Sequence, residues 1–263
     1  LDRGEGPPVV LLHGNGTMVH DWVLSGLFDR LAEHHRVIAI DRPGYGYTAR
    51  PRTRIWTPFA QAELVAGVLR ELRVERPVVL GHSLGTQVAV ALALEQPEAV
   101  AGLVLLAGYF YPTGRLDVWA CSPPAIPILG DAMRYTVSPL LGRLLMPLLK
   151  RVMFSPARPT ARFRSEYSAS MALRPSQIRA TSVDGALMIP GAVRLRRHYD
   201  DLRMPVAIVA GSGDKIVLQR AAERLHGEIP GSTLRIVEGA GHMVHHSAPL
   251  EVVEAIRSVA AAA

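Results

Sequence analysis

The chain predicts an α/β fold: a mostly parallel central sheet flanked by helices, with a helical cap inserted into one connection. Three observations predict it. Short apolar runs rich in Val, Ile and Leu, without clean polar alternation, recur toward both ends of the chain, as strands covered on both faces require. Segments with helical patterning separate these runs, which is the alternation that builds a parallel sheet. Between two of the runs lies a stretch of roughly ninety residues, too long for a structureless connection in a compact domain. A chain of 263 residues that is 49% hydrophobic can bury one large core and still carry such an insertion.

In order along the chain, the first strand falls at 8–12 and ends in His13-Gly14-Asn15-Gly16. The second, at 36–41, runs into Asp41-Arg42-Pro43-Gly44-Tyr45-Gly46, and a helix is predicted at 58–72. Pro77-Val78-Val79-Leu80 gives a strand at 77–81, followed by Gly81-His82-Ser83-Leu84-Gly85 and a helix at 84–95. A strand at 100–106 precedes the insertion, predicted at 111–200, so the core domain comprises 1–110 and 201–263. Ser138-Pro139 supplies a cap residue and a first-turn proline for a helix whose stripe runs Leu140, Leu141, Leu144, Leu145, Leu148, Leu149 and Val152. Further helices are predicted near 160–172, 176–188 and 191–200. The chain returns to the sheet at 205–210, passes through Gly211-Ser212-Gly213-Asp214-Lys215, and forms a helix at 216–226. A strand at 233–237 then leads to Gly239-Ala240-Gly241-His242, and a helix at 248–262 closes the fold. Right-handed crossovers bring the loops after these strands to one edge of the sheet.

Ser83 stands out chemically. A turn this sharp between strand and helix strains its central residue, and glycines two before and two after it allow close approach of strand and helix, so the serine is presented rather than packed. A serine hydroxyl is a poor nucleophile unless a histidine takes its proton and an acid orients that histidine. Asp214 and His242 both follow parallel strands and give the order Ser83, Asp214, His242. Asp117 is a positional rival for the acid and His245 for the base.

Through these segments the chain resembles the α/β-hydrolase superfamily over nearly its whole length, in the serine-nucleophile, esterase/lipase-like branch with a helical cap. The resemblance places the catalytic residues at Ser83, Asp214 and His242, and the oxyanion hole at the backbone N–H groups of Asn15 and Leu84. It implies His242 rather than His245 as the base, because the family places its histidine after a turn such as Gly-Ala-Gly. It makes His13 and Asp41 structural, packs His82 beneath the elbow, and implies no cofactor. In the family's count the insertion follows the sixth strand, the one at 100–106 here. The family also opens with an antiparallel hairpin, for which only Leu1 to Pro8 remain, so the first strands are expected to be shortened or missing from a trimmed or processed chain.

The implied activity is hydrolysis of carboxylic esters or lactones of a small to medium apolar substrate through an acyl-enzyme on Ser83. The same triad also serves carbon–carbon bond hydrolysis, amide hydrolysis and perhydrolysis, and some proteins of this fold act as slow-turnover ligand receptors. Dehalogenases and epoxide hydrolases of the fold are disfavoured because they carry an aspartate where this chain has Ser83.

Charge divides the chain. Residues 112–200 hold 13 Arg or Lys and 5 Asp or Glu, net +8, against 16 and 18, net −2, elsewhere. A basic cap allows weak contact with an anionic membrane surface; a solvated arginine face over a buried leucine face is the reading preferred from sequence. No nucleic-acid module accompanies the charge. A single cysteine, Cys121, rules out an intramolecular disulfide and fits a reducing, cytoplasmic setting. No metal site is expected, and the oligomeric state is open.

Overall fold

Seven strands pair in the spatial order β1-β3-β2-β4-β5-β6-β7, all parallel except the edge strand β1. They are β1 (Asp2–Arg3), β2 (Pro8–Leu12), β3 (Arg36–Ile40), β4 (Val78–His82), β5 (Gly102–Leu106), β6 (Val206–Gly211) and β7 (Thr233–Val237). The computed structural model describes residues 1–114 and 116–263, with the backbone alone at Leu116, Asp117 and Trp119. Asp117 as rival acid therefore lies outside the described side chains.

The lack of polar alternation in the strands has a direct cause. On β2, Val10 and Leu12 enter a core shared with α3 (Pro58–Glu71) and α4 (Gly85–Glu95), while Val9 and Leu11 enter a second core on the opposite face. That second core contains Trp22 of α1 (His20–Leu24), Phe28 of α2 (Leu27–Leu31) and Ile256 of the last helix. β5 and β6 divide in the same way, with Leu103, Leu105 and Ile208 on one face and Val104, Leu106 and Val209 on the other. Both faces of a central strand must therefore be apolar.

Between β5 and β6 lie α5 (Leu116–Cys121), α6 (Leu129–Tyr135), α7 (Val137–Phe154), α8 (Ala161–Glu166), α9 (Ala169–Ala172) and α10 (Pro175–Leu195). In this chain the insertion thus follows the fifth strand; β1 is a two-residue antiparallel partner of β3, short as expected for the opening of this sheet. The two helices predicted at 176–188 and 191–200 are corrected to one. α10 runs through Pro190, which removes one ladder bond and crowds the carbonyl four residues back, while Ala180, Ala192 and Leu195 are fully buried and hold the helix in place. The helix predicted near 160–172 is split into α8 and α9, where Thr160 and Ser168 each accept an amide at a new helix start. α7 begins at Val137, ahead of the predicted Ser138 cap.

The chain ends with α11 (Gln219–Glu228), α12 (Val244–Ser247) and α13 (Pro249–Ala262). Among the described residues no helix is long and apolar enough to cross a membrane. The loops after β2, β4, β6 and β7 share one edge of the sheet, and the candidate site is built there.

Candidate active site

β4 delivers Ser83 into the left-handed region, at φ 52°, a conformation that side-chain-bearing residues adopt only when held. The holding groups are identifiable. The Ser83 amide donates to Leu106 O at 2.9 Å, extending the β4–β5 ladder into the turn, and the Thr86 hydroxyl donates to Ser83 O at 2.6 Å. A Cβ on Gly81 would stand 2.6 Å from Gly85 O, and one on Gly85 would stand 2.7 Å from His13 O. Only glycine at both positions lets strand, turn and helix come this close beside β2.

The imidazole of His242 joins this hydroxyl to a carboxylate. Ser83 Oγ lies 2.9 Å from His242 Nε2, and His242 Nδ1 lies 2.8 Å from Asp214 Oδ2. Asp214 can only accept from the ring, so Nδ1 carries the proton and Nε2 is left to take the one on serine. The other carboxylate oxygen, Asp214 Oδ1, accepts the amides of Ile216 at 2.7 Å and Val217 at 3.0 Å. These bonds explain why α11 starts at Gln219 rather than at the predicted 216: the intervening amides serve the carboxylate. Asp214 and His242 are buried, while Ser83 is half-exposed.

The three residues predicted from sequence therefore meet. His245, the rival base, does not join them: its Nε2 donates to Asp21 Oδ2 at 2.9 Å, and His246 Nε2 donates to Asp21 Oδ1 at 2.8 Å. His242 and His246 have the four-residue spacing of a helical metal pair, yet their rings turn to different carboxylates. Burial alone would push Asp21 up, but the two imidazole donors hold it well below the usual carboxylate value.

His82 links the two groups. Its Nε2 donates to the carbonyl of His242 at 3.1 Å, and its ring lies 4.6 Å from that of His245. Asp21, His82 and His245 bring ligand-type atoms within 4.8 Å of one another, but both oxygens of Asp21 already accept imidazole N–H groups. Burial lowers His82 well below its ordinary value, with the neighbouring imidazoles of His245 and His242 adding to the effect.

The loop after β2 lies directly against the elbow: a Cβ on Gly14 would stand 2.9 Å from His82 Nδ1 and 3.1 Å from Ser83 Cβ. Neither the Asn15 amide nor the Leu84 amide donates to a protein group among the described residues. The Asn15 side chain has a defined role, donating to Thr181 O of α10 at 3.1 Å and accepting from the Tyr45 hydroxyl at 2.5 Å. His13 is fully buried and bonded on both nitrogens, accepting from the Arg42 amide at 3.0 Å and donating to Gly14 O at 2.8 Å. Burial and the Arg42 charge keep it well below its ordinary pKa.

Sequence reading missed the network behind this loop. Arg42 donates to His13 O at 2.9 Å, to Gly14 O at 3.0 Å, to Gln61 at 2.9 Å and to Asp184 Oδ2 at 2.6 Å. Asp184 also takes Arg50 at 2.7 Å and the Tyr45 hydroxyl at 3.1 Å. The available signal was an aspartate flanked by small and apolar residues in a helix, which is costly to bury without a cation. Asp41 spans the same region, accepting the amides of Val19 at 2.8 Å and Tyr47 at 3.3 Å.

A mostly parallel sheet that carries a strained serine after a central strand, with a carboxylate–imidazole pair on the loops after its last two strands, defines a class of hydrolytic enzymes. The comparison with known families agrees: a family model described as alpha/beta hydrolase fold matches residues 7–249, and the chain belongs to that family of hydrolases. It is 30% identical over 254 residues to a 2-hydroxy-6-oxo-2,4-heptadienoate hydrolase of Pseudomonas putida, covering 92% of this chain and 85% of that one. It superposes on a structure described as an N-acyl homoserine lactone degrading enzyme with TM-score 0.68 and 25% identity, over 98% and 95% of the two chains. An esterase from Exiguobacterium antarcticum has the same fold, with TM-score 0.76 and 21% identity over 99% and 94%.

Proposed function

We propose that the chain is a serine hydrolase that cleaves carboxylic esters or lactones of small to medium apolar substrates through an acyl-enzyme on Ser83. The observation that carries this reading is the relay Asp214–His242–Ser83, with contacts of 2.8 and 2.9 Å and a strained serine at its end. His242 takes the hydroxyl proton as Ser83 Oγ attacks the carbonyl, and Asp214 holds the imidazole and stabilises its charge. The tetrahedral oxyanion is received by the amides of Asn15 and Leu84, whose lack of a protein acceptor supports the assignment. Proton return from His242 expels the alcohol, and water repeats the sequence on the acyl-enzyme.

Residues 111–200 act as the cap over this site. The apolar preference follows from the surroundings of Leu84, which clusters with Tyr109, Met188 and Ala192, with Ile189 and Val217 packed against them. Met188, Ile189 and Ala192 belong to α10, so the inserted segment contributes one wall beside the oxyanion donors.

A second reading, carbon–carbon bond hydrolysis of a dienoic acid, is favoured by the similarity to the heptadienoate hydrolase. A series of p-nitrophenyl esters and simple lactones, assayed beside a 2-hydroxy-6-oxo-dienoic acid, separates the two. Turnover of esters with an acyl-length optimum supports the first reading. Rapid loss of the dienoate chromophore with slow ester hydrolysis would replace it with the second.

A further inference from the structure

α7 turns its leucines outward. Leu140, Leu144 and Leu148 are 71%, 75% and 59% exposed, and Leu141, Leu145 and Leu149 beside them are 47 to 49% exposed. The amphipathic spacing predicts this stripe as a buried face; the structure turns it to solvent. The helix is anchored elsewhere, through Phe154 at its end, which packs with Phe163, Leu24 and Met243, and through Gly142, which faces Leu173. A contiguous apolar ridge of this kind on a folded chain marks a surface that something covers.

The charge around the ridge narrows what could cover it. From Val137 to Ser165 the chain carries Arg143, Lys150, Arg151, Arg158, Arg162 and Arg164, and no acidic residue. Arg143, Arg151, Arg158 and Arg164 are exposed, and none of these four takes part in an ion pair with a described residue. A leucine ridge bordered by unpaired cations matches the acyl boundary and headgroup layer of an anionic membrane. A second copy of the chain would bring the same positive field against itself, which is repulsive.

We propose that α7 is an interfacial helix that seats the protein on an anionic lipid surface, with the leucine ridge at the acyl boundary and the arginines at the phosphates. The cations at 143, 150 and 151 interrupt the apolar run of the helix, so it lies on the surface and does not span the bilayer. The seat adjoins the candidate site: Met153 O accepts the Met243 amide at 3.3 Å, and a Cβ on Gly241 would stand 2.8 Å from Phe154 O. A docked α7 therefore holds the His242 loop next to the lipid. This inference is independent of the chemistry assigned to Ser83.

Vesicle flotation at low and high salt tests it, using phosphatidylcholine alone and phosphatidylcholine mixed with phosphatidylglycerol. The wild type floats with the anionic vesicles at low salt and is released by high salt. Both the Leu140→Ser/Leu144→Ser/Leu148→Ser variant and the Arg143→Glu/Arg151→Glu variant lose at least about tenfold in partitioning, while circular dichroism and the urea unfolding midpoint stay at wild-type values. If the serine variant fails to fold, the charge-reversal variant decides alone. Absence of flotation by the wild type, or equal binding to both vesicle types, overturns the proposal. A dimer in analytical ultracentrifugation that the serine substitutions dissolve also overturns it and assigns the ridge to a second copy.

Discussion

The carboxylate of Asp184, on inserted helix α10, meets the guanidinium of Arg42, beside the Gly14–Asn15 loop, at 2.6 Å with both side chains essentially without solvent exposure. Arg42 also holds the carbonyls of His13 and Gly14, so this ion pair fastens the insertion to the loop that faces Ser83. Removing one partner leaves a buried charge uncompensated. Asp184→Ala is therefore expected to cost about 3 to 5 kcal/mol of stability, measured by urea unfolding, and to lower activity in the fraction that folds. A cost below about 1 kcal/mol, the range of an exposed pair, would show that the network does not fasten the two parts.

Gly85 allows the start of α4 to pass against the end of β2, where a Cβ would meet the carbonyls of both Leu12 and His13. These are backbone atoms and have little freedom to yield. Gly85→Ala is expected to destabilise the chain by about 1 to 3 kcal/mol and to displace the Leu84 amide, lowering kcat more than it raises KM. Wild-type kcat in this variant would mean that the elbow has slack the structure does not show.

Asp214 fixes which imidazole nitrogen of His242 carries the proton. Asp214→Asn preserves shape, but its amide can donate to Nδ1 and so turns the ring toward the tautomer that cannot accept from Ser83. A fall in kcat of about ten-thousand-fold is expected, with the fold unchanged by circular dichroism. A loss of less than about tenfold, the size of a minor positioning effect, would remove Asp214 from the relay.

Acid sensitivity follows from the buried imidazoles. His13, His82 and His245 are lowered from 6.5, chiefly by burial, with the nearby Asp21 partly offsetting this at His245. As pH falls through 6.5 the unfolded chain takes up protons at these positions, while the folded chain does so only at lower pH. The unfolded state then binds more protons, so stability is level above this range and declines progressively below it. Asp21, held well below 3.8, contributes in the same direction at still lower pH. Urea midpoints measured from about pH 8 to about pH 5 should decline below pH 6.5, and less steeply in His82→Gln. A level profile across that range would contradict neutral burial of these rings.

The parts of this architecture that local chemistry dictates were readable in advance. The strands announced themselves as continuous apolar runs, because both sheet faces are covered. Ser83, Asp214 and His242, which the structure brings within bonding distance, were legible as a group because each follows such a run in a glycine-rich turn, where backbone geometry restricts the residues allowed. Asp184 and Arg42 were not found, since their pairing spans 142 positions and leaves no local trace. Asp21 was missed for the same reason, its two imidazole partners lying 224 and 225 positions away. The outward face of α7 was misjudged because amphipathic spacing states that a helix has an apolar side without stating what meets it.

The central claim is that Ser83 is the nucleophile activated by His242. Treating the protein with a fluorophosphonate and mapping the modified peptide by mass spectrometry tests it most directly. One phosphonyl adduct on Ser83, formed with loss of hydrolytic activity and absent from both Ser83→Ala and His242→Ala, is the predicted result. Undiminished hydrolysis by Ser83→Ala, or an adduct that forms equally well without His242, would contradict it.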